Sequence, residues 1–213
     1  MTEVILEHVS KHFHKQVILN DISYTFEGGR IYGLRGKNGV GKTMILRAIA
    51  GLIKTQGKIE INGVQLGEKF DFPPDMGLLI ENNELLPDYT AKQNLEILAK
   101  IKRVADDKMI SNALVRVGLD PNDKRKVRHF SLGMRQRLAI AQAIFERPQL
   151  IFLDEPTNAL DTDGVTEIKA LLEEERDRGA LIIIASHITE DLNELADTIL
   201  MIQGGQIIEE ISL

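Results

Sequence analysis

Eight consecutive residues, Gly36-Lys37-Asn38-Gly39-Val40-Gly41-Lys42-Thr43, fit the spacing G-x-x-x-x-G-K-T, which is built to hold phosphate. Glycines carry no Cβ, so the backbone can curl and turn successive N–H groups inward toward anionic oxygens. A helix starting near Lys42 adds unpaired N–H groups and the positive end of its dipole. Lys42 supplies a point charge for the β- and γ-phosphates of a nucleotide, and Thr43 a hydroxyl for Mg²⁺. Gly36 through Met44 are therefore the expected nucleotide-contacting residues. The plainer reading, a glycine-rich turn beside a solvated lysine, leaves the Lys-Thr pair at a helix start unexplained.

A second stretch has matching chemistry. Leu150-Ile151-Phe152-Leu153-Asp154-Glu155 is an apolar run ending in two carboxylates. In parallel α/β sheets, ligands sit at the carboxyl ends of strands, so Asp154 is placed to hold Mg²⁺ or its water. Glu155, one residue on, is placed to orient or deprotonate an attacking water. A strand capped by two solvated acids is the alternative. The P-loop in the same chain favours the nucleotide reading.

The elements that must position these groups can be read around them. Ile31–Leu34 leads into the P-loop as a buried strand, and Met44–Ala50 follows as a helix. Val4–Val9, Ile22–Phe26 and Lys58–Ile61 read as further strands. Thr90 to about Val117 reads as helical, with Leu95, Leu98, Ile101 and Val104 at helical spacing. Ser131 opens another helix, with Met134, Leu138, Ala141 and Phe145 on one face and Pro148 as its stop. Leu150–Leu153 and Leu181–Ala185 suit central parallel strands buried on both faces, and Val165–Arg178 suits an amphipathic crossover helix. The fold class is α/β: a P-loop NTPase with a mostly parallel core sheet, an N-terminal antiparallel β subdomain and a helical insert at roughly 84–135, all in one domain over 1–213.

Composition excludes several classes. A net charge of −6 argues against a broadly basic nucleic-acid surface. There is no cysteine, hence no disulfide framework and no cysteine metal site. No apolar run approaches the roughly 20 residues that span a bilayer, and the start lacks a signal-peptide pattern. A soluble protein is expected, with any membrane role supplied by a partner.

Phe130-Ser131-Leu132-Gly133-Met134-Arg135-Gln136-Arg137-Leu138 completes a pattern that resembles the ATP-binding subunit of an ATP-binding-cassette (ABC) transporter over essentially the whole chain. The resemblance implies an ATPase that uses ATP and Mg²⁺. It implies a separate transmembrane permease and a second ATPase subunit as partners, in a head-to-tail homodimer, with no nucleic acid. It also implies a cytoplasmic location, peripheral on the inner face of the membrane. Ser131, Gly133 and Met134 would close over ATP held by the partner's P-loop. Phe13 would stack on adenine, Asp161 would lie in the loop facing the other subunit, and His187 would touch the γ-phosphate. His187 and Lys42 would stabilise charge while Glu155 assists water attack. His8, His12, His14 and His129 carry no comparable context.

Two departures from the family pattern stand out. Glu81 occupies the place of a usual glutamine; a carboxylate still ligates Mg²⁺ but, ionised, donates no hydrogen bond. Leu132 and Met134 replace the usual Gly and Gln of the signature. Together these features resemble the branch serving bacterial antibiotic-peptide export and immunity. The competing class is a soluble ABC ATPase acting on ribosomes or DNA. Its relatives usually carry two cassettes or long coiled coils, which this chain lacks. A small-molecule P-loop kinase leaves Ser131–Met134, Asp161 and His187 unexplained.

Overall fold

The structure, a computed structural model, describes residues 2–14, 16–80 and 85–213. Among the described residues there are two sheets and six α-helices. The N-terminal strands β1 (Glu3–Phe13) and β2 (Gln16–Glu27) pair antiparallel, and β4 (Gln56–Ile61) with the short β5 (Val64–Gln65) extends them into a four-stranded sheet of order β2-β1-β4-β5. The central sheet contains β3 (Arg30–Arg35), β6 (Met76–Leu79), β7 (Leu150–Asp154), β8 (Leu181–Ser186), β9 (Thr198–Gln203) and β10 (Gln206–Ser212). Its order is β10-β9-β3-β8-β7-β6, parallel throughout except for the antiparallel edge strand β10. The fold class expected from the sequence is the one observed.

Side-chain alternation along the parallel strands divides the core in two. Ile151, Leu153, Ile182 and Ile184 face one cluster with α4 (Leu132–Ile144), α5 (Thr162–Asp177) and α6 (Thr189–Leu195). Phe152, Leu181, Ile183 and Leu34 face the other, with α1 (Lys42–Ile49) and the antiparallel sheet. Strands buried on both faces read as continuous apolar runs for this reason. Tyr24, Phe26 and Tyr32 knit the second cluster through edge-on rings, with centroids 4.8 Å apart for Tyr24–Phe26 and 5.0 Å for Phe26–Tyr32.

The helical pattern read over Thr90–Val117 is corrected to two helices, α2 (Ala91–Lys102) and α3 (Asp107–Arg116). Thr90 caps α2 with a capping box closed by Gln93, Arg103 ends it at φ 59°, and Asp106 caps α3. The i, i+3 series does not mark one buried stripe. Leu95 is buried, but Ile101 is 77% and Val104 59% exposed. Each three-residue step falls about 60° short of a full turn, so three steps carry the series to the opposite face. The sequence reading also missed α6, β9 and β10.

The central sheet lies tight against its helical layer at Gly77 in β6. A Cβ built there would overlap the carbonyl oxygen of Ala143 in α4. Backbone cannot yield as a flexible side chain would, so Gly77→Ala should destabilise the protein by about 3 kcal/mol. Urea unfolding checks this, and an unchanged midpoint would count against the packing described. On the outer side, the buried Glu175 of α5 pairs with Arg116 of α3 at 2.6 Å and with Arg178, tying α3 to the core.

Candidate functional site

The P-loop occupies the turn between β3 and α1, at the carboxyl edge of the parallel strands. Gly41 caps α1 at φ 112°, a conformation that side chains oppose. The loop is braced from behind, where the Gly205 N–H, in the β9–β10 turn, donates to the Val40 carbonyl at 3.1 Å and the Asn20 N–H of β2 donates to the Gly205 carbonyl at 2.9 Å. The sequence reading missed this brace. Its available signal was the Gly204-Gly205 pair just after the apolar run Ile199-Leu200-Met201-Ile202, a turn signature.

Lys42 is 6% exposed, and its ammonium donates to the Gly36 carbonyl at 2.6 Å and the Lys37 carbonyl at 3.2 Å. Burial holds its pKa below the ordinary lysine value, while Glu155 and Asp154 partly oppose that shift. The Thr43 hydroxyl donates to Asp154 Oδ2 at 2.8 Å, joining the start of α1 to the end of β7. These two oxygen-bearing side chains, 111 residues apart in sequence, make an anionic corner beside the Lys42 amine.

Glu155 leaves β7 with φ 49°, and its N–H donates to the Ala185 carbonyl at 2.8 Å. Three donors hold its carboxylate: Ser186 Oγ at 3.1 Å, the His187 N–H at 3.1 Å and His187 Nδ1 at 2.7 Å. With Nδ1 engaged, Nε2 is the ring nitrogen left to meet a ligand. Ser186 was not singled out in the sequence. It ends β8 in register next to β7, which strand order alone reveals.

These groups face one cleft of about 1040 Å³. Its lining includes Phe13, Asn38, Gly39, Gly41, Lys42, Thr43, Met44, Asp154, Glu155 and His187. Phe13 is 64% exposed at the end of β1, so it is a cleft side chain and not a core one. Gly36, Lys37 and Val40 form the back of the loop through their carbonyls.

Four expected contacts lie apart from that lining. Ser131 caps α4, its Oγ accepting from the Met134 N–H at 3.2 Å, while the Met134 side chain packs against the helical-side core. Gly133 faces the Ala159 carbonyl, and Asp161 caps α5 by accepting from the Gly164 N–H at 3.0 Å. A single chain therefore does not bring Ser131, Gly133, Met134 and Asp161 to the P-loop. Glu81 lies outside the described residues.

The family model described as "ABC transporter" matches residues 19–158, and the chain belongs to that family. It is an ATP-binding, ATP-hydrolysing subunit that powers transport by a separate membrane permease. It is 51% identical over 208 residues to the uncharacterized ABC transporter ATP-binding protein YybJ of Bacillus subtilis (strain 168), spanning 97% of this chain and 94% of that protein. It is 36% identical over 206 residues to the lantibiotic transport ATP-binding protein SrtF of Streptococcus pyogenes, spanning 96% of this chain and 89% of that one. In fold it resembles the ATP-binding cassette MJ0796, solved as a dimer in a post-hydrolysis state bound to ADP and Pi. That match has a TM-score of 0.87 and 24% identity, and covers 99% of this chain and 98% of the other. No helix among the described residues is long and apolar enough to cross a membrane.

Proposed function

We propose that this chain drives export of an antibiotic peptide, working as a head-to-tail homodimer on the inner face of the membrane. One observation carries the ATPase chemistry: Lys42, the Thr43–Asp154 pair and the Glu155–His187 pair converge on a single cleft around the P-loop. The class of cargo is supported by the lantibiotic transport relative and by the Leu132 and Met134 departures in the signature.

Each residue then has a task. Phe13 stacks on adenine, and the N–H groups from Gly36 to Met44 wrap the phosphates. Lys42 contacts the β- and γ-phosphate oxygens. The donor set at the corner suits Mg²⁺, which prefers hard oxygen ligands and is typically held by one or two carboxylates together with substrate phosphates. Thr43 and Asp154 would hold it there, with Glu81 as a further carboxylate. Bound there, Mg²⁺ would neutralise negative charge on the phosphates. Glu155 takes a proton from the attacking water, and His187 offers Nε2 to the γ-phosphate as negative charge develops on its oxygens. Ser131, Gly133, Met134 and Asp161 act on the nucleotide of the opposite subunit.

Tagged protein recovered from gently solubilised native membranes should bring with it a multi-span membrane protein, identified by mass spectrometry. Ribosomal or DNA-bound partners without a membrane protein would overturn the proposed export role and its membrane location.

A further inference from the structure

We propose that Gln136 is a positioning residue for Glu155, fixing the backbone that aims the carboxylate at its water. This rests on the reading of Glu155 as the proton acceptor. Gln136 lies one helical turn after Gly133 on α4, so the two share a face. That face lies directly on the segment leaving β7. A Cβ built on Gly133 would stand 2.9 Å from the Ala159 carbonyl oxygen, close enough that only glycine sits there without displacement. One turn on, the Gln136 side-chain amide donates to the carbonyls of Glu155 at 3.2 Å and Pro156 at 2.9 Å. Carbonyls only accept, so the contact requires a donor on the helix side.

The backbone held in this way is one that needs holding. Glu155 sits at φ 49°, in the left-handed region that costs a side-chain-bearing residue of order 1 kcal/mol or more. Its N–H is pinned by β8 and its carboxylate by Ser186 and His187. Gln136 holds the remaining side, the carbonyls of Glu155 and the next residue. On the far side, the Thr157 hydroxyl donates to Asp191 of α6, so the segment is clasped between α4 and α6. Without the clasp from α4, the peptide after Glu155 is released toward a less strained φ. The carboxylate then loses its aim, while the bonds that shape the P-loop, from Lys42 to the Gly36 and Lys37 carbonyls and from Gly205 to the Val40 carbonyl, do not involve Gln136.

The test is steady-state ATP hydrolysis by the full chain in four forms: wild type, Gln136→Glu, Gln136→Lys and Glu155→Gln. Gln136→Glu sets a carboxylate against two carbonyls and should lower kcat about tenfold or more, with KM for ATP within about twofold. Gln136→Lys restores a donor of similar reach and should recover most of kcat. The melting temperature of each variant is measured alongside, because a merely structural role would lower stability together with kcat, whereas a positioning role lowers kcat with the melting temperature held. Wild-type kcat in Gln136→Glu, with Glu155→Gln inactive, overturns the role of Gln136 and leaves Glu155 standing. A loss in Gln136→Glu that lysine does not relieve also overturns it. An active Glu155→Gln overturns both the role of Glu155 and the inference built on it.

Discussion

Glu155→Gln is expected to bind ATP with near wild-type affinity while its turnover falls by about 10²–10⁴-fold, the usual contribution of a positioned general base. The substitution keeps the size of the side chain and one oxygen that can accept from the His187 N–H and Nδ1, while the amide NH2 takes the place of the oxygen facing Ser186, whose hydroxyl can accept from it. The left-handed backbone at this position keeps its supports, since the Glu155 N–H still meets the Ala185 carbonyl and Gln136 still donates from α4. What disappears is an atom that can take a proton. A closed dimer that cannot hydrolyse its nucleotide should then accumulate, eluting early from a sizing column in ATP and reverting in ADP. Full activity in this variant would remove Glu155 from the mechanism and return attention to Asp154.

Lys42→Ala should act at the earlier step. It removes a buried cation whose worth against phosphate is about 3 kcal/mol, or roughly a hundredfold in affinity. Equilibrium binding of a fluorescent ATP analogue measures it, and unchanged affinity would contradict the phosphate-cradle reading. Loss of binding here should not come from loss of fold. Burial lowers the pKa of Lys42, so the unfolded chain holds this proton more tightly than the folded one. The charge is thus a cost to the nucleotide-free protein below the folded-state pKa. Stability from this group rises with pH between the folded-state pKa and the ordinary lysine value. Lys42→Ala should abolish that rise and leave the melting temperature without nucleotide near that of the wild type.

The local parts of this site were legible because their chemistry is local. A P-loop advertises itself through glycines, a lysine and a threonine within eight positions, and the β7 strand through an apolar run ended by two acids. The pairings were not legible. Thr43 meets Asp154, and Ser186 and His187 meet Glu155, only because β3, β8 and β7 are neighbours in the sheet, an order set by crossover helices. Gln136 stood within the signature-like stretch without a role of its own until the fold placed two carbonyls against its side chain. The missed β10 fails for another reason: Gln206–Ser212 is an edge strand with little buried surface, so it lacks the apolar density that marked its neighbours. Ile101 and Val104 mislead in the opposite sense, being apolar and exposed on or just beyond a helix whose buried stripe runs elsewhere.

The brace behind the P-loop carries a consequence for how the molecule is made. Among the described residues, the strand that leads into the loop, β3, pairs with β8 and β9, and the loop itself leans on Gly205. All three supports lie far downstream of the loop in sequence. A nascent polypeptide therefore exposes its phosphate-binding residues before the backbone that braces them exists, and the nucleotide site matures only once those downstream strands have left the ribosome.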